Sequence, residues 1–411
     1  MTTLLRRALQ EHDIPGIGLV VFDSDRLVIQ KAMGLCRLGE ETPITLDSRF
    51  HIGSNTKAMT ATVIASLVED GKLSWEENAI TVFPEFAETI HESFRSVTVR
   101  QLLSHTAGIQ PFTNDAEFDA IPQFSGTSQE QRYEFTKFLL THKPFRTPGK
   151  AVEYSNAGYC VAAAMAERIA GKPWEDLMRL RLFERLALVA GFGWPALSDP
   201  QQPWGHRYKE AKENETIEEF LSRKSGTLVP HPPTDSYRIS CLGAPSGDVH
   251  LSIVDFAKFA QMHLRGCRDM ETILKSETIR FMHQDIQGSA LGWQRTGPVS
   301  SHSGSACTFY SQAVLFPAQN YGFVLACNAG HANAWDGCAK LAQAVFDEFK
   351  DGSLQEQEPN KVNAGDSDGL EGGKADTRRE YRINETYEVI GEPTSVPDAR
   401  VLAEQDPYQF Q

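Results

Sequence analysis

The sequence predicts an α/β (α+β) fold: one antiparallel sheet built from strands at both ends of the chain and flanked by helices, with a mostly helical portion inserted between them. Three observations carry this. β-rich runs broken by turn residues lie early, between residues 16 and 33, and again late, between 291 and 327. Between these two regions apolar residues recur at helical rather than alternating spacing. No apolar run approaches the roughly 18 residues a membrane span requires.

Taken in order, Leu4 to Glu11 suits a short helix that stops before Pro15. Gly16 to Phe22 (GIGLVVF) is rich in β-formers, Asp23-Ser24-Asp25 supplies turn chemistry, and Arg26 to Met33 runs extended again, so the three read as a hairpin. From Thr56 to Glu69 the apolar residues Met59, Val63, Ile64, Leu67 and Val68 are spaced as on a helix, and Asp70-Gly71 closes it. Further helices are expected at Val99 to Leu103, Gln129 to Leu140, Ala157 to Ile169 and Trp174 to Leu186. Residues 187–250 are richer in Pro, Gly and polar side chains, with one helical stretch at Thr216 to Arg223 and an amphipathic helix following at Ile253 to Leu264. Leu291 to Arg295, Thr308 to Phe316 and Tyr321 to Cys327 then read as strands, and Asn333 to Phe349 as the last helix.

The 411 residues divide on composition into a catalytic-sized unit, 1–350, and a tail, 351–411. Within the unit the sheet is expected from about 1–53 and 285–350, and the helical part from about 54–284. The tail carries 14 acidic and 6 basic residues and is rich in Gly, Pro, Asn and Gln, so it is expected to be largely disordered. With 40 Lys and Arg against 54 Asp and Glu the whole chain is at −14, the wrong sign for a nucleic-acid partner. Seven scattered cysteines form no C-x-x-C pair and no zinc spacing. The N-terminus lacks the apolar core of a secretory signal, so a cytoplasmic location is expected, and the two N-x-T sequons at Asn214 and Asn384 read as chance.

Three short motifs can carry chemistry. Ser54-Asn55-Thr56-Lys57 stands at a helix start, where free N–H groups and the dipole favour developing negative charge. Lys57 lies one turn on, on the same face, placed to help deprotonate the serine or to hold a neighbouring base ionised. Alone, the pattern is equally a helix cap followed by a solvated lysine. Tyr154-Ser155-Asn156 lies in a loop before the helix from Ala157. A phenol beside an ammonium can have a lowered pKa and shuttle a proton, and Asn156 offers both a donor and an acceptor to a substrate amide. Alone, it is a packed tyrosine and an asparagine cap. His302-Ser303-Gly304 stands just before the strand expected from Thr308. Gly304 permits close backbone approach, and the N–H of Ser305 can act as an oxyanion donor from a strand edge. Alone, it is a turn with an incidental histidine.

Together, in this order and separated by 100 and 148 residues, the motifs resemble those of the serine β-lactamase and penicillin-binding protein superfamily, whose S-x-x-K device has a known mechanical logic. Tyr-x-Asn in second place is similar to the branch of class C β-lactamases, DD-carboxypeptidases, D-aminopeptidases and family VIII esterases. Leu102 through Ile109 (LLSHTAGI), Pro203-Trp204-Gly205-His206, and Ala244-Pro245-Ser246-Gly247-Asp248 through Leu251-Ser252 to Asp255 resemble further segments of that branch. The resemblance covers about residues 5–350 and implies a β-lactamase-like fold. It implies that Ser54 is the acylated nucleophile, that Lys57 and Tyr154 share the proton work, and that Asn156 contacts the substrate. It also implies an oxyanion hole made by the N–H groups of Ser54 and of Ser305, next to Gly304. His302 stands where many β-lactamases carry the lysine of Lys-Thr-Gly. Histidine is only partly charged near neutral pH, so this departure favours esterases and aminopeptidases over efficient β-lactam hydrolysis. No cofactor and no metal are implied.

The expected function is therefore a serine hydrolase acting on a small ester, amide or peptide, most simply a carboxylesterase. The alternatives are a β-lactamase, DD-peptidase or D-amino-acid peptidase or amidase, an acyltransferase, or a non-catalytic binding protein of the same fold. Gly365-Asp366-Ser367-Asp368-Gly369 matches the G-x-S-x-G elbow but sits in the acidic tail, without the strand and helix that motif needs. His105 reads as a structural histidine. Phe112, Phe118, Phe124 and Trp204 are candidate pocket walls, or else local packing.

Overall fold

Helix α1 (Thr2–Glu11) leads into the hairpin of β1 (Gly16–Phe22) and β2 (Leu27–Gly34). Strand β3 (Arg49–His51) and one 3-10 turn at Gly53–Asn55 precede α2 (Thr56–Glu69), followed by α3 (Val99–Leu103), α4 (Ser128–Thr141) and α5 (Asn156–Ala170). Next come β4 (Ala190–Phe192), β5 (His206–Tyr208), β6 (Leu228–Pro230), α6 (Ala244–Gly247), β7 (Val249–Ser252), α7 (Ile253–Cys267) and α8 (Ser276–Met282). Strands β8 (Gln294–Thr296), β9 (Val299–Ser305), β10 (Tyr310–Phe316) and β11 (Tyr321–Cys327) lead to α9 (Ala332–Phe349). The computed structural model describes residues 1–350 apart from 114–116, 119, 210–222 and 234–238. The acidic tail lies wholly outside the described residues, and the helix expected over 216–223 almost wholly so.

The six-stranded antiparallel sheet has the order β2-β1-β11-β10-β9-β8. Its closing contact joins the two ends of the chain, with Ile17 opposite Cys327 and Phe22 opposite Gly322. Ile17, Leu19 and Val21 face Leu5 of α1 and Leu341 and Val345 of α9. Val20 and Phe22 share the other core with Phe256 and Phe259 of α7. A strand covered on both faces needs no alternation, which is why GIGLVVF reads as a continuous apolar run. Gly18 lets α7 seat closely, since a Cβ there would lie 3.0 Å from the Cβ of Ile253.

Helix α2 runs through the middle of the molecule, with every residue from Thr56 to Leu67 buried. Its polar residues are bonded rather than solvated: Thr60 Oγ1 donates to the carbonyl of Pro245 at 2.7 Å and Thr62 Oγ1 to that of Ala58 at 2.8 Å. Thr98 and Thr127 close capping boxes at the starts of α3 and α4, and Gly171, at φ +63°, ends α5. The helix expected over Trp174 to Leu186 is broken into Trp174–Met178, a π-helical turn at Arg179–Phe183 and Glu184–Leu186. A small second sheet, β3-β7-β4, was not anticipated. Strands of three or four residues are too short to show an alternating pattern. His302-Ser303-Gly304 also proves to lie on its own strand, β9, which a hairpin separates from β10. The polar run VSSHSGS hid that strand. Among the described residues no helix is long and apolar enough to cross a membrane.

Candidate active site

Two glycines bring Ser54 and Ser305 together. Gly53, at φ +49°, is in the left-handed region, and a Cβ on it would lie 2.7 Å from the nitrogen of Ser305. A Cβ on Gly304 would lie 2.0 Å from the carbonyl oxygen of Ile52 and 2.7 Å from the nitrogen of Ser54. The turn carrying Ser54 is thus in backbone contact with the end of β9. The ladder sets which way β9 points. Ala306 N–H donates to the carbonyl of Phe309 at 3.1 Å, so position 306 bonds toward β10. Alternation along an antiparallel strand turns the N–H and C=O of 304 and 302 the same way and those of 305 and 303 outward. Pairing with β8 reaches only to Ser301, so the outer edge at Ser305 lies beside Gly53 and Ser54. Ser311 Oγ donates to the carbonyl of Ile52 at 2.8 Å and accepts from Asn55 Nδ2 at 2.8 Å, tying the turn to β10 as well.

The side chains converge on Ser54 Oγ. Lys57 Nζ donates to it at 2.9 Å and Tyr154 OH at 2.8 Å. Lys57 is fully buried and has two further acceptors, Asn156 Oδ1 at 2.6 Å and the carbonyl of Ser246 at 2.9 Å. Three acceptors match the three hydrogens of an ammonium. A neutral amine would keep the Asn156 and Ser246 bonds and accept the serine proton on its lone pair. The cluster therefore accommodates both protonation states, as a proton relay requires. Lys57 Nζ also lies 4.6 Å from the ring centre of Tyr154.

Sequence reasoning could not see the Ser246 carbonyl, because a backbone oxygen is present at every residue. It also left the cap of α5 open: Ser155 Oγ, not Asn156, accepts the N–H of Gly158 at 3.0 Å. Asn156 is thereby released to bind Lys57, while its Nδ2 donates to the carbonyl of Phe112 at 2.7 Å. One Nδ2 hydrogen is left for a substrate carbonyl. Phe112 itself is at φ +51°, and Glu117 holds its N–H at 3.1 Å.

Two histidines border the cluster. His302 is buried, its Nδ1–H donating to the carbonyl of Ser303 at 2.5 Å. Burial, with Lys57 nearby, pushes its pKa down to about 3, so it is neutral at physiological pH. His105 lies with its ring 4.5 Å from that of Tyr154, and its Nδ1 accepts the N–H of Ser155 at 3.1 Å. Burial, and then the Lys57 charge, hold it well below the usual histidine range. It braces the phenol rather than titrating. His206 is buried, and both its ring nitrogens hold backbone, accepting from Leu38 N–H at 3.1 Å and donating to the carbonyl of Asn328 at 2.9 Å. Phe112 packs edge-on against Phe118 and Phe135, and Phe124 against Phe138, so these rings are largely one another's packing. Among the described residues no three His, Cys, Asp or Glu side chains are gathered as metal ligands.

A buried hydroxyl bonded by a lysine and a tyrosine, with the backbone nitrogens of Ser54 and Ser305 brought to the same turn, has the parts needed to attack a carbonyl and hold the resulting oxyanion. The chain is 29% identical over 287 residues to Penicillin-binding protein 4 of Amycolatopsis lactamdurans, covering 69% of this chain and 68% of that one. It is 20% identical over 333 residues to Protein flp of Staphylococcus aureus (strain MRSA252), covering 79% of this chain but only 62% of that longer protein. Its fold matches that of EstCE1, a hydrolase with promiscuous acyltransferase activity, at a TM-score of 0.65 and 17% identity, over 82% of this chain and 96% of the other. The Beta-lactamase family profile matches residues 1–344, and the chain is a member of the Beta-lactamase family of serine hydrolases.

Proposed function

We propose that the chain hydrolyses carboxylic esters through an acyl-enzyme on Ser54. The observation that carries this is the Ser54 hydroxyl bonded at once by Lys57 and Tyr154. In the forward step Tyr154, as a phenolate beside the Lys57 charge, takes the serine proton while Oγ attacks the ester carbon. The carbonyl π pair moves to oxygen, which faces the N–H groups of Ser54 and Ser305. The C–O bond to the alcohol then breaks, and Tyr154 returns the proton to the departing alkoxide. Water repeats the sequence on the acyl-serine and releases the acid. Neutral His302 supports esters over β-lactams and D-Ala-D-Ala peptides, since it offers no full charge to a substrate carboxylate. The substrate is a small uncharged ester, with no cofactor.

Intact mass after brief exposure to a fluorophosphonate, and separately to a penicillin, tests the reading. One fluorophosphonate adduct is expected on the wild type and none on Ser54→Ala. Turnover of 4-nitrophenyl butyrate should exceed that of nitrocefin, and Lys57→Ala and Tyr154→Phe should each lower kcat by about 100-fold or more. Normal turnover in Ser54→Ala would sink the mechanism, and faster nitrocefin hydrolysis would reassign the substrate.

A further inference from the structure

We infer that His51, oriented by Asp248, is the positioning residue of the oxyanion hole, an inference that rests on reading Ser54 as the nucleophile. His51 ends β3, three residues before Ser54, and is almost wholly buried at 1% exposure. Its Nδ1 accepts the N–H of Gly53 at 3.2 Å. The ring hydrogen is therefore on Nε2, which lies 3.3 Å from Asp248 Oδ1. A carboxylate that holds one ring nitrogen sets the tautomer and aims the other. Here the other nitrogen is aimed at a peptide N–H rather than at a substrate or a metal.

That N–H belongs to the peptide just before the one that carries the Ser54 N–H. Gly53, between the two, is in the left-handed region at φ +49°, which glycine enters as readily as the right-handed one, so its own conformational preference does not fix it there and a bond from outside the turn must. The His51 ring also touches the other half of the hole. Its centre is 6.3 Å from the ring of Phe309, whose backbone carbonyl accepts the N–H of Ala306, and 5.1 Å from Trp194, itself stacked on Phe309 at 5.7 Å. One imidazole thus spans the turn that presents the Ser54 N–H and the hairpin that presents the Ser305 N–H. Asp248 is anchored in turn, its N–H on the carbonyl of Ala244 at 3.1 Å and its carbonyl accepting from Gly193 at 3.0 Å. The same segment supplies the Ser246 carbonyl to Lys57 at 2.9 Å. The α6 loop therefore holds the lysine with one residue and, through His51, the oxyanion donors with another. This is a role for Ala244–Asp248 that its sequence does not reveal.

A histidine acting this way alters the transition state and not substrate binding. Its removal should lower kcat, and the rate of fluorophosphonate capture with it, while KM stays. With 4-nitrophenyl butyrate, His51→Leu is expected to lose about 10–100-fold in kcat with KM within about threefold. His51→Asn puts an amide oxygen near the place of Nδ1, so it should accept the Gly53 N–H and recover kcat to within about fivefold of wild type. Asp248→Asn should lose less than Asp248→Leu, a pair that reads the same quantity if His51→Leu does not fold. Equal kcat in the two His51 variants, or a loss confined to KM, overturns the inference while leaving the ester-hydrolase reading intact. A wild type that fluorophosphonate does not label at Ser54 overturns both.

Discussion

Each functional side chain at Ser54 depends on a neighbour that frees or fixes it. Ser155 takes the helix cap, so Asn156 can hold Lys57, and His105 braces Tyr154. The tightest constraint falls on the glycines. In Gly304→Ala the new methyl would stand 2.0 Å from a backbone carbonyl in a segment pinned on both sides, so neither partner can yield cheaply. A loss of about 1–3 kcal/mol in stability is expected, with ester hydrolysis falling far more than that alone explains, as thermal melts and kcat would show. Gly39→Ala is the control. At φ +86° with nothing within 4 Å it carries only backbone strain, and should cost about 1–2 kcal/mol without touching turnover. Equal loss of turnover in both would remove the steric argument.

Between elements, buried polar chains do what apolar packing alone does not. Arg132 of α4 binds Glu167 of α5 at 2.6 Å, Glu175 at 2.8 Å and the carbonyl of Cys241 at 2.8 Å, locking the helical part around one fully buried guanidinium. A second chain links α2 to β9. Thr62 Oγ1 accepts from His263 Nε2 at 3.0 Å, His263 Nδ1 from His283 Nε2 at 3.0 Å, and His283 Nδ1 from Ser300 Oγ at 2.7 Å. Arg295 Nη1 then donates to Ser300 Oγ at 2.7 Å. Every donor faces an acceptor only while both imidazoles are neutral.

Burial pushes His263 and His302 down to about 3 and His206, His250 and His331 to about 4. Below pH ~6.5 the unfolded chain binds protons that the folded chain refuses, so stability must fall as pH falls from there toward 4, and not change from this cause above 7. Each such imidazole costs up to about 1.4 kcal/mol per pH unit in that window. Urea midpoints measured from pH 8 to 4.5 should be flat at first and then drop steeply. A midpoint unchanged at pH 5 would mean that these histidines are not buried in solution.

At the scale of the whole molecule, the sheet closes only when β11 slots between β1 and β10, pairing Ile17 with Cys327. Such long-range pairing makes folding wait for the C-terminal strands and predicts slow folding. Helix α9 then covers the sheet with Leu341, Val345 and Phe349. We propose the unit boundary at about residue 350. Truncation after Lys350 should leave melting temperature and ester turnover unchanged, while removing −8 of the −14 net charge and shortening retention on an anion exchanger. A lower melting temperature would mean that the acidic segment packs on the domain.

Periodicity and short motifs determined much of this by themselves. The bounds of α2, α3 and β11 were legible to the residue, because long or capped segments advertise their period and their ends. That Ser54, Lys57 and Tyr154 would meet was legible only from the three motifs taken together in order and from their resemblance to a family pattern, each motif being weak alone. Only the tertiary structure decided the rest. The three-residue strands carry no period, and the polar β9 carries no apolar face. The Ser246 carbonyl and the outward N–H of Ser305 belong to the backbone, which no residue type marks. The charge of His302 depends on how completely other elements cover it, and the link from Asp248 through His51 to Gly53 joins residues 195 apart in sequence at its ends. Such properties follow from what folding places beside a residue, so local sequence could point to Ser54 but not to the environment that surrounds it.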